Sequence, residues 1–271
     1  MKHLLYIVMC ISMFLPFRVK GQRTGEFELI RSIQGNFSDF YVDNLDNIYL
    51  ITLTNQLKKI DNNGDSAAIF NDIKHYGYLS SIDVTNPLKI LLYYKDYSTV
   101  LVLDHLLNIR NKINLRNQNI FSVKAIAPSY DNNIWLFDEQ DYKLKKINEE
   151  GKQLMETVDF RTFLQETPSP LKIIDRENYV YLYDTAKGFY IFDYYGSFKT
   201  KLPFIGWKNI EVNNKMMYGF NNNTMFTYTL NSLMIKEYPL PSDFVVCIAM
   251  KAMNGKVYLL KNNGIDIYRV K

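Results

Sequence analysis

The chain of 271 residues holds only two cysteines, three histidines and eight prolines. Cys10 lies in an apolar run at the N-terminus, so Cys247 stands alone in the body of the chain and an internal disulfide framework is excluded there. A clustered Cys/His metal site is disfavoured on similar grounds, because beyond the first residues only His75 and His105 remain and neither has a motif partner. No glycine-rich phosphate loop, no Gly-x-Ser-x-Gly elbow and no paired His and Ser signature is found. The apolar run from Leu4 to Phe17 holds 14 residues and meets Pro16 near its end, short of the roughly 20 residues that span a bilayer.

That run is preceded by Lys2 and His3 and followed by Arg18, Val19, Lys20, Gly21 and Gln22, the layout of a secretory signal with cleavage expected after Gly21. Met9 stands before Cys10 where a lipid-anchor site carries a small residue, so lipidation through Cys10 is not expected. Residues 22–271 are then a single exported domain, periplasmic or outer-membrane associated, with no membrane insertion of its own. Loss of Lys2, Arg18 and Lys20 takes the 32 basic residues to 29, against 28 acidic ones. Such balance gives no electrostatic footprint for nucleic acid or anionic lipid. The composition, 47% hydrophobic and 15% aromatic, is that of a globular chain, and about 250 residues can be held by core burial alone. Cys247, in the run Phe244-Val245-Val246-Cys247-Ile248, is expected to be a buried strand residue.

Six short runs share one pattern, an Asn- or Asp-rich turn followed by apolar and aromatic residues too few for a helix. They are Ile48–Ile51, Ile90–Tyr93, Ile134–Phe137, Val180–Tyr183, Met216–Gly219 and Val257–Leu260, and their second residues are spaced by 42, 44, 46, 36 and 41. A second β-rich run follows each by 9 to 12 residues. The clearest echo sets Leu57-Lys58-Lys59-Ile60-Asp61 with Gly64 against Leu144-Lys145-Lys146-Ile147-Asn148 with Gly151, an offset of 87 residues. A period near 42 with several strands per unit is that of a β-propeller, each repeat one four-stranded blade. The last unit, with runs near Val245, Val257 and Ile265, is one strand short, while Phe27–Ile33 is unassigned. Pairing the two closes a ring of six blades and removes an open edge. The fold class is therefore all-β, a six-bladed propeller with the N-terminal strand closing the last blade.

The pattern Asp-x-x-Asn before an aromatic strand, then Leu-Lys-x-Ile-Asp-x-x-Gly, resembles the NHL-type and related exported six-bladed propellers. It is carried by Asp43, Asn47, Ile48, Tyr49, Leu57, Lys58, Ile60, Asp61 and Gly64, by Asn133, Trp135, Asp138, Leu144, Ile147 and Gly151, and by Tyr181, Asp184, Asp193 and Gly196. The resemblance spans about residues 26 to 271, is strongest in units one, three and four, and implies a fold but no particular ligand.

Segments with a hint of chemistry read better as turns. Ser129–Trp135 is a partial asp-box, and Asp61-Asn62-Asn63-Gly64-Asp65 opens like a calcium loop but has Asp72 where the closing glutamate belongs. No catalytic residue, metal or cofactor is expected. In a propeller the connections from second to third strand gather at one end of the central channel. The candidate binding residues there are Tyr94, Asp96 and Tyr97, then Asp138, Gln140 and Tyr142, then Asp184 and Lys187, and Asn221. Their mixture of Tyr, Asp, Asn and Lys suits polar recognition with aromatic anchors, and it equally suits an unoccupied wet surface. With 21 Tyr and 17 Phe but no catalytic signature, the first expectation is a non-enzymatic propeller that binds a protein partner in the cell envelope. Accessory subunits of outer-membrane machines, the plug-like subunit of the type IX secretion translocon among them, have this general look. The alternatives are a glycan- or peptide-processing enzyme, or a small-ligand binder using the same loop face.

Overall fold

The structure, a computed structural model, describes residues 27–271 except 214 and 245. The expected signal segment 1–21, with Cys10, lies outside the described residues, as does Val245. The strands form six four-stranded antiparallel sheets. The chain is a six-bladed β-propeller. Blade 1 runs from Phe37 to Phe70, blade 2 from Ser81 to Asn114, blade 3 from Val123 to Glu156, blade 4 from Lys172 to Leu202 and blade 5 from Lys208 to Pro239. Blade 6 combines Ala249–Met253, Lys256–Lys261 and Gly264–Val270 with the N-terminal strand Phe27–Gln34. That strand pairs antiparallel with the last one, from Phe27 opposite Val270 to Gln34 opposite Gly264, so the expected closure is present. No helix among the described residues is long and apolar enough to cross a membrane.

The strand sequences follow from their places in the blade. Second and third strands are covered on both faces by neighbouring blades, and so read as unbroken apolar runs such as Ile90–Tyr94 and Thr99–Leu103, buried throughout. Fourth strands lie on the rim and are largely exposed, as in Met234–Pro239. Each of the six apolar clusters joins two adjacent blades. Leu91, Tyr93 and Val100 of blade 2 pack with Val123, Ile134 and Leu136 of blade 3, and Phe40, Ile48 and Leu50 of blade 1 pack with Tyr258, Leu260 and Ile265 of blade 6.

The repeated Asp-x-x-Gly is the turn from third to fourth strand. Asp61 Oδ1 accepts the amides of Asn63, Gly64 and Asp65, each at 2.9 Å, while Gly64 holds a φ of +102°. This is the strand-connecting turn expected for Asp61–Asp65. Asp193 repeats the capping on Tyr195 and Ser197. Blade 2, where the motif is illegible, makes the same turn with Asp104 capping Leu106 and Asn108 and with Leu107 in the glycine place at φ +63°. Leu107 is buried against the blade 1–2 cluster, and that contact offsets the backbone cost of a left-handed Leu. Unequal repeat lengths come from the interblade linkers, the 46-residue spacing spanning linker 157–171 and the 36-residue one spanning 203–207.

The run expected near Val245 is not a strand among its described residues. Ser242–Phe244 forms a 3-10 turn and the first strand of blade 6 begins at Ala249. Cys247 is half-buried in this linker rather than in a strand, with its amide donating to the Phe244 carbonyl at 3.3 Å. Pro239 and Pro241 end the preceding strand, and the chain must then return from rim to channel, so an apolar run is used as linker packing. Burial pushes the Cys247 thiol up.

Closure depends on Gly264, at φ +146°, where a Cβ would stand 2.0 Å from the Ile33 carbonyl oxygen of the closing strand. Gly255, at φ +70°, has open space around it. Gly264→Ala is expected to lower the free energy of urea unfolding by about 2–4 kcal/mol through displaced closing-strand backbone. Gly255→Ala should lower it by about 1 kcal/mol, the cost of left-handed backbone alone. Equal losses in the two variants would show that the closing strand is not a critical contact.

Candidate functional site

Antiparallel meanders place the interblade linkers and the second-to-third-strand loops on one face of the ring, and the remaining turns on the other. The residues singled out in the sequence lie on the linker face, each engaged in its own blade or with the adjacent linker. Tyr94 is buried between blades 1 and 2, its ring 5.4 Å from that of Tyr76. The Asp96 carbonyl accepts Arg116 Nη2 at 3.2 Å, and the Tyr97 side chain is exposed. Asp138 is 2% exposed, with Oδ2 accepting Lys145 Nζ at 2.8 Å and Oδ1 accepting the Gln140 amide at 3.0 Å. Tyr142 lies under the Arg161 guanidinium, 4.7 Å away. Asp184 caps the amides of Ser169 and Ala186, both at 2.8 Å, and Lys187 Nζ donates to the Thr167 carbonyl. Asn221 closes the second strand of blade 5 opposite Thr224. The two buried carboxylates thus cap turns and hold a lysine.

The same face carries a series of exposed apolar side chains from successive segments. They include Leu53 and Tyr97 on loops, and Phe121, Leu171, Ile205 and Ile248 on the linkers that enter blades 3, 4, 5 and 6; Val246, on the last linker, is 82% exposed. The turn face has exposed apolar tips too, interspersed with ion pairs and hydrogen bonds across blade boundaries, such as Lys89 to Glu149 and Lys256 to Asp46.

At the centre is a feature that the motifs did not mark. The six first strands enclose a cavity of about 600 Å³, with Leu171 and Ile248 at its linker-face end and Asp43, Arg176 and Asn213 towards the other. The polar side chains of these strands line the cavity, and their apolar neighbours enter the interblade clusters, several of them also bordering the cavity. In blade 1, Phe40 is in the cluster shared with blade 6 and Val42 joins that cluster and borders the cavity, while Tyr41, which also packs against the blade 1–2 cluster, and Asp39 line the cavity. Ser81 and Asp83 from blade 2, Lys172 and Arg176 from blade 4, Glu211 from blade 5 and Lys251 from blade 6 do likewise. Lys172 Nζ pairs with Glu211 Oε1 at 2.6 Å and with the Ile210 carbonyl at 2.7 Å, tying blade 4 to blade 5. Lys251 Nζ stands 4.0 Å from the centroid of the Tyr41 ring. Arg176 Nη2 reaches across to the Thr85 carbonyl at 3.0 Å.

Enclosure dominates the electrostatics. Burial raises the Tyr41 phenol, helped by the charge of Asp39 and a hydrogen bond to its carboxylate. Burial also lowers the Lys251 ammonium against the opposing pull of Asp39. The Asp83 carboxyl is raised by burial in spite of hydrogen bonds from Thr85 and the Lys172 charge. Each of these shifts favours the neutral form, the ordinary consequence of enclosing an ionisable group. A signal of the cavity is faintly present in the sequence, since each first strand carries a charged residue, and those of five blades, Asp39, Asp83, Lys172, Glu211 and Lys251, line the cavity.

Among the described residues no group of three or more His, Cys, Asp or Glu could hold a metal ion. No protein-family model matches the chain, and no curated protein matches its sequence. Solved structures do match its fold. A virginiamycin B lyase from Staphylococcus aureus, a catalytically inactive form with quinupristin, superposes with a TM-score of 0.60 at 15% identity over 90% of this chain and 89% of its own. A streptogramin B lyase gives 0.60 at 13% identity over 90% and 88%. The Pan2 WD40 domain of Neurospora crassa gives 0.60 at 9% over 87% and 79%. At these identities the likeness is one of propeller fold.

A carboxyl whose folded pKa lies above its unfolded value costs stability as pH rises past the unfolded value and through the folded one. Asp83→Asn keeps an acceptor for the Thr85 amide, 2.8 Å away, and removes that cost. The variant is expected to unfold at higher urea than the parent at neutral pH, with the two midpoints converging near pH 3, where both side chains are neutral. A lower midpoint at neutral pH would mean that the ionised carboxylate stabilises the ring.

Proposed function

We propose that this propeller is a non-enzymatic binding subunit that docks a protein partner through its linker face. The exposed apolar side chains on that face, from Leu53 to Ile248, carry the reading, because several loops and linkers supply one and none is covered within the ring. Apolar and aromatic groups set among polar loops are the usual make-up of a recognition surface. The Asp-x-x-Gly turns support kinship with NHL-type propellers, and the N-terminal apolar segment supports export, which together favour an envelope partner at the outer membrane. The buried carboxylates of the linker face are occupied by turn amides and Lys145, which weighs against their service as catalytic acids there.

The test is affinity purification of the tagged protein from its native envelope, comparing the parent with the double variant Leu171→Glu/Ile248→Glu. Both positions are exposed, so the fold is expected to survive, as circular dichroism would confirm. Stoichiometric recovery of one envelope protein with the parent, lost in the double variant, is the expected outcome. Recovery of free monomer alone, or of a partner indifferent to the substitutions, would overturn the reading.

A further inference from the structure

The central cavity is chemically unlike a simple packing gap. Its volume of about 600 Å³ falls within the range of small-molecule sites. Its polar groups are unequally satisfied. Asp39 accepts the Phe40 amide at 2.8 Å and is hydrogen-bonded to the Tyr41 phenol, and Glu211 is held by Lys172. Lys251 has no ion pair or hydrogen bond among the described residues and rests against the rings of Tyr41 and Phe40. The Ser81 hydroxyl is buried without a partner. Arg176 uses one of its five N–H groups, on the Thr85 carbonyl. The unused capacity is therefore mostly donor capacity, and a donor that is partly enclosed and left unmatched costs free energy.

We propose that the cavity is a binding site for a small monocarboxylate bearing hydroxyl groups, its carboxylate seated on Lys251. Charge limits the valence. Lys172 is neutralised by Glu211, and Asp39 and Asp83 already match Lys251 and Arg176 in number, so the cavity has no spare positive charge for a polyanion, and a single carboxylate is held by its contact with Lys251, which has no ion pair of its own among the described residues. The hydroxyls suit the partnerless Ser81 and the spare lone pairs of Asp39 and Glu211. Tyr41 supplies an aromatic wall, with its ring already under the ammonium. This reading does not rest on protein docking, because the groups it uses, Lys251, Ser81, Asp39, Tyr41 and Glu211, all stand on first strands.

Isothermal titration of the purified protein with galacturonate, gluconate and lactate, each at millimolar concentration, tests it, with galactose as the neutral control and citrate as the polyanion. Saturable binding of at least one monoanion with one site per chain is expected, with no comparable heat from galactose or citrate. Lys251→Met should weaken that binding by about tenfold or more, the usual size of a lost charge-assisted hydrogen bond. In case that variant does not fold, reductive methylation of the parent gives a second readout. The bound monoanion should slow modification of Lys251, identified by peptide mass spectrometry, and leave exposed lysines unaffected. Absence of saturable binding by all three monoanions, equal binding of galactose or citrate, or unchanged Lys251 reactivity at saturation would each overturn the proposal.

Discussion

Burial between neighbouring sheets is the constraint on which everything else rests. No blade has a core of its own. Every apolar cluster straddles a boundary, from the one shared by blades 1 and 2 around Tyr49 and Leu92 to the one shared by blades 5 and 6 around Phe244 and Leu259. A blade outside the ring would leave two apolar faces in water, and a ring lacking one blade would leave two such faces at the gap. Six first strands meeting at the axis cannot all bury their inner faces, because their side chains converge on a space too wide to fill. The polar cavity is thus a geometric product of the interblade packing.

Much of this was legible in the sequence. The third-to-fourth-strand turn could be recognised because its physics is local. An aspartate reaches the next amides, and a glycine takes the positive φ at Gly64, Gly151 and Gly196. Legibility failed where long-range packing replaced local preference, as with Leu107 in the left-handed turn of blade 2. The linker before blade 6 departs from the strand expectation for a related reason, since Phe244 and Cys247 pack on the cluster a strand would have used while Val246 and Ile248 face solvent.

The site was less legible than the fold. Asp138 and Asp184 stand at the ends of second strands and look like ligands in waiting, yet their carboxylates answer to nearby amides and to Lys145. The cavity residues give the opposite impression, because a lysine or aspartate alternating with apolar residues in a short strand reads as a solvent-facing position. Only the ring, which turns one face of each first strand towards the axis, converts those positions into one site. Propellers as distant as 15% in identity share this geometry, so whatever is particular to this chain lies in which groups the axis and the linker face present.

The pairing of Phe27–Gln34 with Gly264–Val270 also orders events in time. The closing strand leaves the ribosome long before its partner, which lies 230 or more residues further along the sequence. Until that partner emerges, blades 1 to 5 can assemble only as an open arc, with the blade 1 surface of Phe40 and Leu50 unprotected. Such long-range pairing slows folding and prolongs the life of sticky intermediates. The contact that makes the finished ring edge-free therefore leaves that surface of the nascent chain open until the last blade has been synthesised.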